Sequence, residues 1–329
     1  MSVLGLPFLY AGKVRDMYAL GDDPATAEQL MIVTSDRLSV YDRVLNDRIP
    51  DKGRVLTALS AFWFHNTDDV LPHHLLSTDV ADLPRELRAV ANRFDLDGRV
   101  AIVARAQMLP VECIVRRYLT GSAWREYAQF GTVNHQWFPP GLAEGSLLSE
   151  PMFTPSTKAP IGQRDEGLSP EGLIKLLGAA RAGEVEAISL ELYRRGAARA
   201  WEQGIVVADT KFELGLIGDR LVLCDEVLTP DSSRLWPVGA QERMGTTLSF
   251  DKQPVRDHMD RLGWDRQSAP PPLPAQVISA TRERYIRAFE LLTGESYGGQ
   301  PCPPPPPERF FDTVVADGGV RPVTVSPAR

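Results

Sequence analysis

The sequence predicts an α+β chain of two domains, the first built of antiparallel strands and the second of strands and helices, and three observations predict it. Short apolar runs of strand length alternate with turn residues near the N-terminus. A pair of longer apolar runs with a glycine-bearing turn between them stands at 205–224, and stretches with helical spacing lie before and after that pair. With 329 residues, 43% of them hydrophobic, the chain can build two cores at roughly 100–200 residues per domain.

The elements follow in order. "FLYAGKVRDMYAL" places apolar residues on both sides of Gly12, Lys13 and Arg15, and "QLMIVTSD" follows a Gly-Asp-Asp-Pro turn, which reads as a strand, a loop and further antiparallel strands. "GRVLTALSAFWFHNT" spaces Val55, Leu59, Phe62 and Trp63 along one helical face. His73 and His74, after Pro72, read as loop residues. "GRVAIVARAQMLPVECIVRRYLTGS" gives two apolar runs interrupted at Pro110, suiting either a kinked pair of strands or a connector between domains. The boundary is placed there, giving domains over 1–112 and 113–294.

Beyond it, Ser169 is a helix N-cap with Pro170 at the first helical position, and Gly204 closes the helical region, with a break expected near Gly183. "IVVADTKFELGLI" and "LVLCDEVL" form a hairpin around Gly218, Asp219 and Arg220, and "PAQVISATRERYIRAFELLTG" is a last amphipathic helix. From Glu295 on, "PCPPPPPE" favours an extended polyproline conformation, so 295–329 is expected to be a tail outside the chemistry.

Composition narrows the function. The formal charge of −7 argues against nonspecific nucleic-acid binding, which rests on clustered Lys and Arg. No window approaches the ~20 consecutive apolar residues of a membrane helix, and "MSVLGLPFLYAGKVRD" lacks the basic region of a signal segment, so a cytoplasmic protein is expected. Cys113, Cys224 and Cys302 are too scattered for a disulfide framework, and Cys113 and Cys224 read as buried thiols. The five histidines show no zinc-ligand spacing.

Chemistry concentrates in "DEVLTPDSSRLWP" at 225–237, where three acids, two serines and an arginine follow an apolar strand. Carboxylates there suit a cation and hydroxyls with a guanidinium suit a phosphate, although Pro230 and Asp231 are also ordinary turn formers. A three-residue loop at 218–220 would set Ile217 opposite Leu221 and Glu213 opposite Asp225, with Asp209, Lys211 and Glu213 on one face. Facing carboxylates are destabilising unless a cation lies between them, and magnesium fits two carboxylates beside nucleotide phosphates. A shifted register would leave both acids solvated instead. "AGKVRD" offers a loop whose Lys13 and Arg15 suit a lid over a triphosphate, or an ordinary surface turn. In "VRRYLTGSAW", Arg116 precedes Ser122 at a helix start, suiting a phosphate or a simple cap.

Taken together and in order, "GKVRDMY", "SDRLSVYDRVL", "IPDKGRVLTALSAFWF", "MLPVECIVRRYLTGS", "FTPSTKA", "RDEGLS", "ADTKFELG" and "DEVLTPDSSRLWP" closely resemble the SAICAR synthetase (phosphoribosylaminoimidazole-succinocarboxamide synthase) family, from about Gly12 to Gly294. The resemblance implies an ATP-grasp-like second domain and ATP-dependent ligation of L-aspartate to carboxyaminoimidazole ribonucleotide (CAIR) in purine synthesis, with magnesium. It also implies residue roles. Lys13, Val14 and Arg15 would cover the ATP phosphates, the segment Arg105 to Met108, with Ala106, would line the adenine, and Lys158 would reach the phosphates. Glu213 and Asp225 would hold magnesium. Arg116, Ser122 and Arg234 would hold the ribonucleotide phosphate, and Asp209, Lys211 and Asp165 would surround the reacting groups, with Asp36, Arg37 and Lys52 on the substrate side. Two other classes compete: a kinase-like phosphotransferase, for which no HRD-type loop or DFG is present, and a non-catalytic nucleotide-binding regulator, which would be expected to have lost charged positions.

Overall fold

The computed structural model describes residues 5–41, 43–158, 165–239 and 249–298. In chain order the first elements are β1 (Phe8–Ala11), β2 (Arg15–Ala19), β3 (Gln29–Thr34), β4 (Arg37–Val40), β5 (Arg43–Arg48), α1 (Lys52–Asn66), β6 (Leu75–Ser77), α2 (Arg85–Arg88), β7 (Val100–Ala104) and β8 (Gln107–Tyr118). They are followed by α3 (Gly121–Phe130), β9 (Thr132–Val133), β10 (Gln136–Trp137), β11 (Leu147–Phe153), β12 (Ser156–Thr157), α4 (Pro170–Leu177) and α5 (Ala179–Glu202). The hairpin strands β13 (Ile205–Ile217) and β14 (Arg220–Cys224), then β15 (Ser233–Pro237), α6 (Gln253–Arg261) and α7 (Ala275–Thr293), are the last elements among the described residues. The fold is α+β and its sheets are antiparallel.

Two sheets organise it. Strands β1, β2, β3, β7 and β6 lie side by side in that order. The second sheet runs β11, β8, β13, β14, with β12 also paired to β8 and β15 to β13. β8 is one strand through Pro110 rather than a kinked pair of strands. The missing N–H is accommodated by a bulge: β13 pairs Glu213 with Glu112 but Gly215 with Met108, so extra residues of β8 around Pro110 have no partner on β13.

Of the helical face read from the sequence, Val55, Leu59 and Trp63 of α1 are almost wholly shielded and share a core with Val185 and Leu192 of α5, Cys113 and Phe212 of the second sheet, and Tyr285 of α7, while Phe62 is only partly buried against it. Ser169 caps α4, accepting from the Gly172 amide at 3.1 Å, as expected. The break between the two helices comes at Gly178, with φ +80°, rather than near Gly183, because Gly178 closes α4 with its amide on the Ile174 carbonyl and α5 starts at once. The segment expected as a tail begins with packed residues. Tyr297 meets Phe289 edge-on at 6.2 Å and its amide reaches Glu290, whereas 299–329, including the proline run, lie outside the described residues. Among the described residues no helix is long and apolar enough to cross a membrane.

Candidate active site

The site is built on the ladder between β8 and β13. Because side chains alternate along a strand, Asp209, Lys211 and Glu213 share one face, and the register sets Arg116, Ile114 and Glu112 of β8 opposite them on that face. The result is a row of paired charges. Arg116 reaches Asp209 at 3.2 Å, and Lys211 Nζ donates to Glu112 at 2.9 Å and to Glu213 at 2.7 Å. Lys158, just beyond β12, forms a second ion pair with Glu213. The two acids directly opposite each other are therefore Glu112 and Glu213, a like-charge pair tolerated because one ammonium binds both.

The expected pairing of Glu213 with Asp225 is not the observed one. The turn has two residues, Gly218 and Asp219, with Ile217 opposite Arg220, so Glu213 faces Cys224. Gly218, at φ +60°, supplies the glycine-first geometry that lets a two-residue loop match the strand twist. Asp225 instead lies one residue past the end of β14, at φ +60°, where the backbone leaves the sheet. Its amide donates to Nε2 of His74 at 3.2 Å and its carboxylate lies 3.4 Å from Arg15. Arg15 also holds Glu226, at 2.8 Å.

The electrostatics follow from burial and these pairs. Burial pushes the Glu213 carboxyl upward, but Lys211 and Lys158 outweigh it and bring its pKa down from 4.5 to about 2. Burial likewise opposes the Lys211 ammonium, and Glu213, Glu112 and Asp225 hold it well above its ordinary value. Asp225 goes the other way: burial raises its pKa, with Glu213 and Glu226 adding to the rise against the pull of Arg15. A partly buried carboxyl pushed upward beside two other acids is a group that gains from a cation. Among the described residues no three His, Cys, Asp or Glu side chains converge as a ready-made metal cage. Glu213 and Asp225 suit magnesium, which binds through one or two carboxylates and takes its other ligands from water and phosphate. His74 is buried, and burial, with His73 and Arg15 nearby, brings its pKa down to about 3, so the ring is neutral.

At the other end of the row, Arg116 is anchored on Thr154 at 2.7 Å and points Nη2 towards Ser122 at 3.4 Å, in the first turn of α3. Arg234, on β15, pairs with the same Asp209. Its guanidinium lies over Gly121, where an added Cβ would stand 2.4 Å from Nη2. Arg116, Ser122 and Arg234 are thus brought together around Asp209, as the sequence reading required, but across β8, α3 and β15.

The loop after β1 is held from below. Arg37 chelates Asp16 at 2.7 and 2.9 Å and donates to the carbonyls of Gly12 and Lys13, while the Val14 carbonyl accepts from Ser35. Arg37 is thereby a brace for the Lys13–Arg15 loop. Asp36 binds Arg99 at 2.6 and 2.8 Å and caps α1 through the Gly53 amide at 2.9 Å. Lys52 is fully buried against Asp231 at 2.6 Å, and Tyr285 donates to the same carboxylate. Burial raises the Asp231 carboxyl, but Lys52 and Lys252 outweigh it and hold the pKa below its ordinary range. All three of these candidate residues are engaged in ion pairs with other parts of the chain. Ala106 joins β7 to β8, and Met108, at the start of β8, is exposed opposite Gly215. Asp165 is exposed, directly after 159–164, which lie outside the described residues; its neighbours Glu166 and Gly167 lie along β12. Sequence reasoning missed Glu112, whose partner Lys211 is 99 residues away, and His74.

A profile of the SAICAR synthetase family matches residues 8–271. Among curated relatives, the phosphoribosylaminoimidazole-succinocarboxamide synthase of Saccharopolyspora erythraea is 47% identical over 308 residues, covering 92% of this chain and 99% of that protein. That of Geobacter metallireducens is 44% identical over 290 residues, covering 88% and 95%. The solved SAICAR synthase of Saccharomyces cerevisiae, complexed with SAICAR, superposes with a TM-score of 0.80 at 38% identity, covering 90% of this chain and 98% of that one. The ladder, its charged row and these likenesses agree, and the chain belongs to the SAICAR synthetase family.

Proposed function

We propose that the charged face of β13 divides into two anion pockets serving the family's reaction, in which L-aspartate and CAIR are joined with cleavage of ATP to give SAICAR, ADP and phosphate. The chain is an ATP-dependent carbon–nitrogen ligase of purine biosynthesis. The kinase-like and regulatory readings are not favoured, since relatives at 44–47% identity over most of the chain carry the synthase name.

The observation that carries the division is the order of charges along one strand. Asp209 with its two arginines and Glu213 with its two lysines are four residues apart, roughly 13 Å at the rise of a strand. That separation leaves room for a reacting carboxylate beside Lys211. Lys13, Val14 and Arg15 close over the nucleotide phosphates, Arg105 to Met108 with Ala106 line the adenine, and Lys158 meets the phosphate chain. Glu213 and Asp225 would hold magnesium, which would neutralise phosphate charge when bound. Arg116, Ser122 and Arg234 grip the ribonucleotide phosphate, with Asp36, Arg37 and Lys52 supporting the substrate side.

A carboxylate is a poor electrophile. A CAIR carboxylate oxygen therefore attacks the γ-phosphorus and ADP departs, leaving an acyl phosphate; the aspartate amine then attacks the acyl carbon, phosphate leaves and the nitrogen loses its proton. Lys211, fixed between Glu112 and Glu213, offsets the negative charge of the substrates as they meet, and positioning lowers the entropic part of the barrier. Asp209 fixes both arginines, and either Asp209 or Asp165 takes the amine proton. The buried, unpaired thiols of Cys113 and Cys224 accord with a reducing, cytoplasmic setting. The test is ADP release with each substrate omitted in turn. Release is expected only when CAIR, aspartate and ATP are all present, and release that ignores aspartate, or that proceeds with peptide or sugar acceptors, would refute the assignment.

A further inference from the structure

We infer that His74 is a positioning residue for Asp225, holding its backbone so that the carboxylate meets the nucleotide's metal. The inference rests on the reading of Asp225 as a magnesium ligand. The geometry has three parts, all on one residue. The His74 carbonyl accepts the Ala104 amide of the first sheet at 2.8 Å, and its own amide donates to Leu223 of β14 at 3.0 Å. The ring Nε2 accepts the Asp225 amide at 3.2 Å. One buried residue therefore ties the exit of the hairpin to the opposite sheet, and its ring packs against Phe64, the centroids 5.5 Å apart and the planes tilted at 57°.

Asp225 needs such an anchor. It is a non-glycine residue at φ +60°, a conformation L residues adopt at a cost, and it follows the last ladder residue of β14, so no strand partner fixes its amide. The acceptor at Nε2 gives that amide a partner in the left-handed conformation seen here. With Nε2 accepting, the neutral ring carries its proton on Nδ1. Partners that orient a metal ligand commonly change metal affinity about 10–100-fold when removed.

The side-chain lengths give a test that packing alone does not mimic. Gln places its amide oxygen about where Nε2 lies, Asn places it about where Nδ1 lies, and Leu fills the space with no acceptor. Free Mn2+ is titrated by electron paramagnetic resonance against the full-length enzyme with ADP, using wild type, His74→Gln, His74→Asn, His74→Leu and Asp225→Asn, with thermal melts alongside. His74→Gln is expected within about threefold of wild type and His74→Asn and His74→Leu weakened about tenfold or more. Two results would overturn the inference: His74→Leu binding Mn2+ and ADP as wild type does, or His74→Gln binding as poorly as His74→Leu with an unchanged melting temperature. If Asp225→Asn itself binds Mn2+ like wild type, the metal reading of Asp225 fails instead. Should His74→Leu not fold, the comparison of Gln with Asn still decides.

Discussion

Gly121→Ala removes no charge and no hydrogen-bonding group, yet it should damage one pocket selectively. The Cβ it adds would stand 2.4 Å from Nη2, 2.8 Å from Cζ and 3.0 Å from Nη1 of Arg234. Those atoms are the far end of a flexible side chain, so the guanidinium moves and the backbone stays. Gly121 also sits at φ +62°, where a Cβ costs about 1–2 kcal/mol. At about 2–4 °C of melting temperature per kcal/mol for domains of 150–250 residues, that is a loss of a few degrees. The functional cost is larger. A displaced Arg234 loses Asp209 and, with it, its charge-assisted contact to the ribonucleotide phosphate, worth about 1.5–3 kcal/mol, or about a 10–100-fold rise in KM. The assay is steady-state kinetics with each substrate varied at saturating levels of the other two. The prediction is a rise of at least tenfold in KM for CAIR and less than threefold for ATP. A selective rise for ATP would mean that the two pockets are reversed, and no change in either would mean that Arg234 does not touch substrate.

Four further outcomes follow from the same contacts. Glu213→Gln and Asp225→Asn should each abolish turnover while leaving the circular dichroism spectrum intact, and near wild-type rates in either would remove the metal assignment. Lys52→Met should cost about 3 kcal/mol in urea unfolding, the lower end for breaking a buried pair, because Tyr285 and Lys252 still hold Asp231; a loss below about 1 kcal/mol would show that those two suffice. Glu213 has a depressed folded pKa, so its pairing contributes stability above about 4.5 that is lost as pH falls through about 2. The gap in urea midpoint between wild type and Glu213→Gln should therefore narrow across that window, and a constant gap would contradict the pairing. Truncation after Gly298 should leave the melting temperature and rate unchanged, whereas truncation after Gly294 should lower the melting temperature, since it removes Tyr297 from Phe289 and from Asp51; equal effects of the two cuts would show that Tyr297 adds nothing.

The parts of this site that are legible in the sequence are those governed by local rules. Alternation along a strand is enough to place Asp209, Lys211 and Glu213 on one face, and the cap at Ser169 and the stop at Gly294 follow from residue chemistry within a turn. Register is less secure, because one residue more or less in a hairpin loop moves every partner. Gly218 and Asp219 close the turn in two residues rather than three, so Glu213 meets Cys224. The contacts that are not legible are long-range. Lys52 and Asp231 are 179 residues apart and Asp225 and His74 are 151 apart, and no spacing pattern encodes such pairs. Asp36 and Arg37 show nothing of their partners in a string of letters. Only the packing of α1 and the first loop shows that their charges are engaged by Arg99 and Asp16.

The central claim is that the ribonucleotide's carboxylate, fixed beside Lys211 between the two anion pockets, is phosphorylated before aspartate attacks. Oxygen transfer tests it most directly. CAIR carrying 18O in both carboxylate oxygens is incubated with ATP, L-aspartate, magnesium and the enzyme, and the released phosphate is analysed by mass spectrometry. One labelled oxygen should appear in each phosphate, the other remaining in the product amide. Phosphate released without label, while the product forms, would contradict the account.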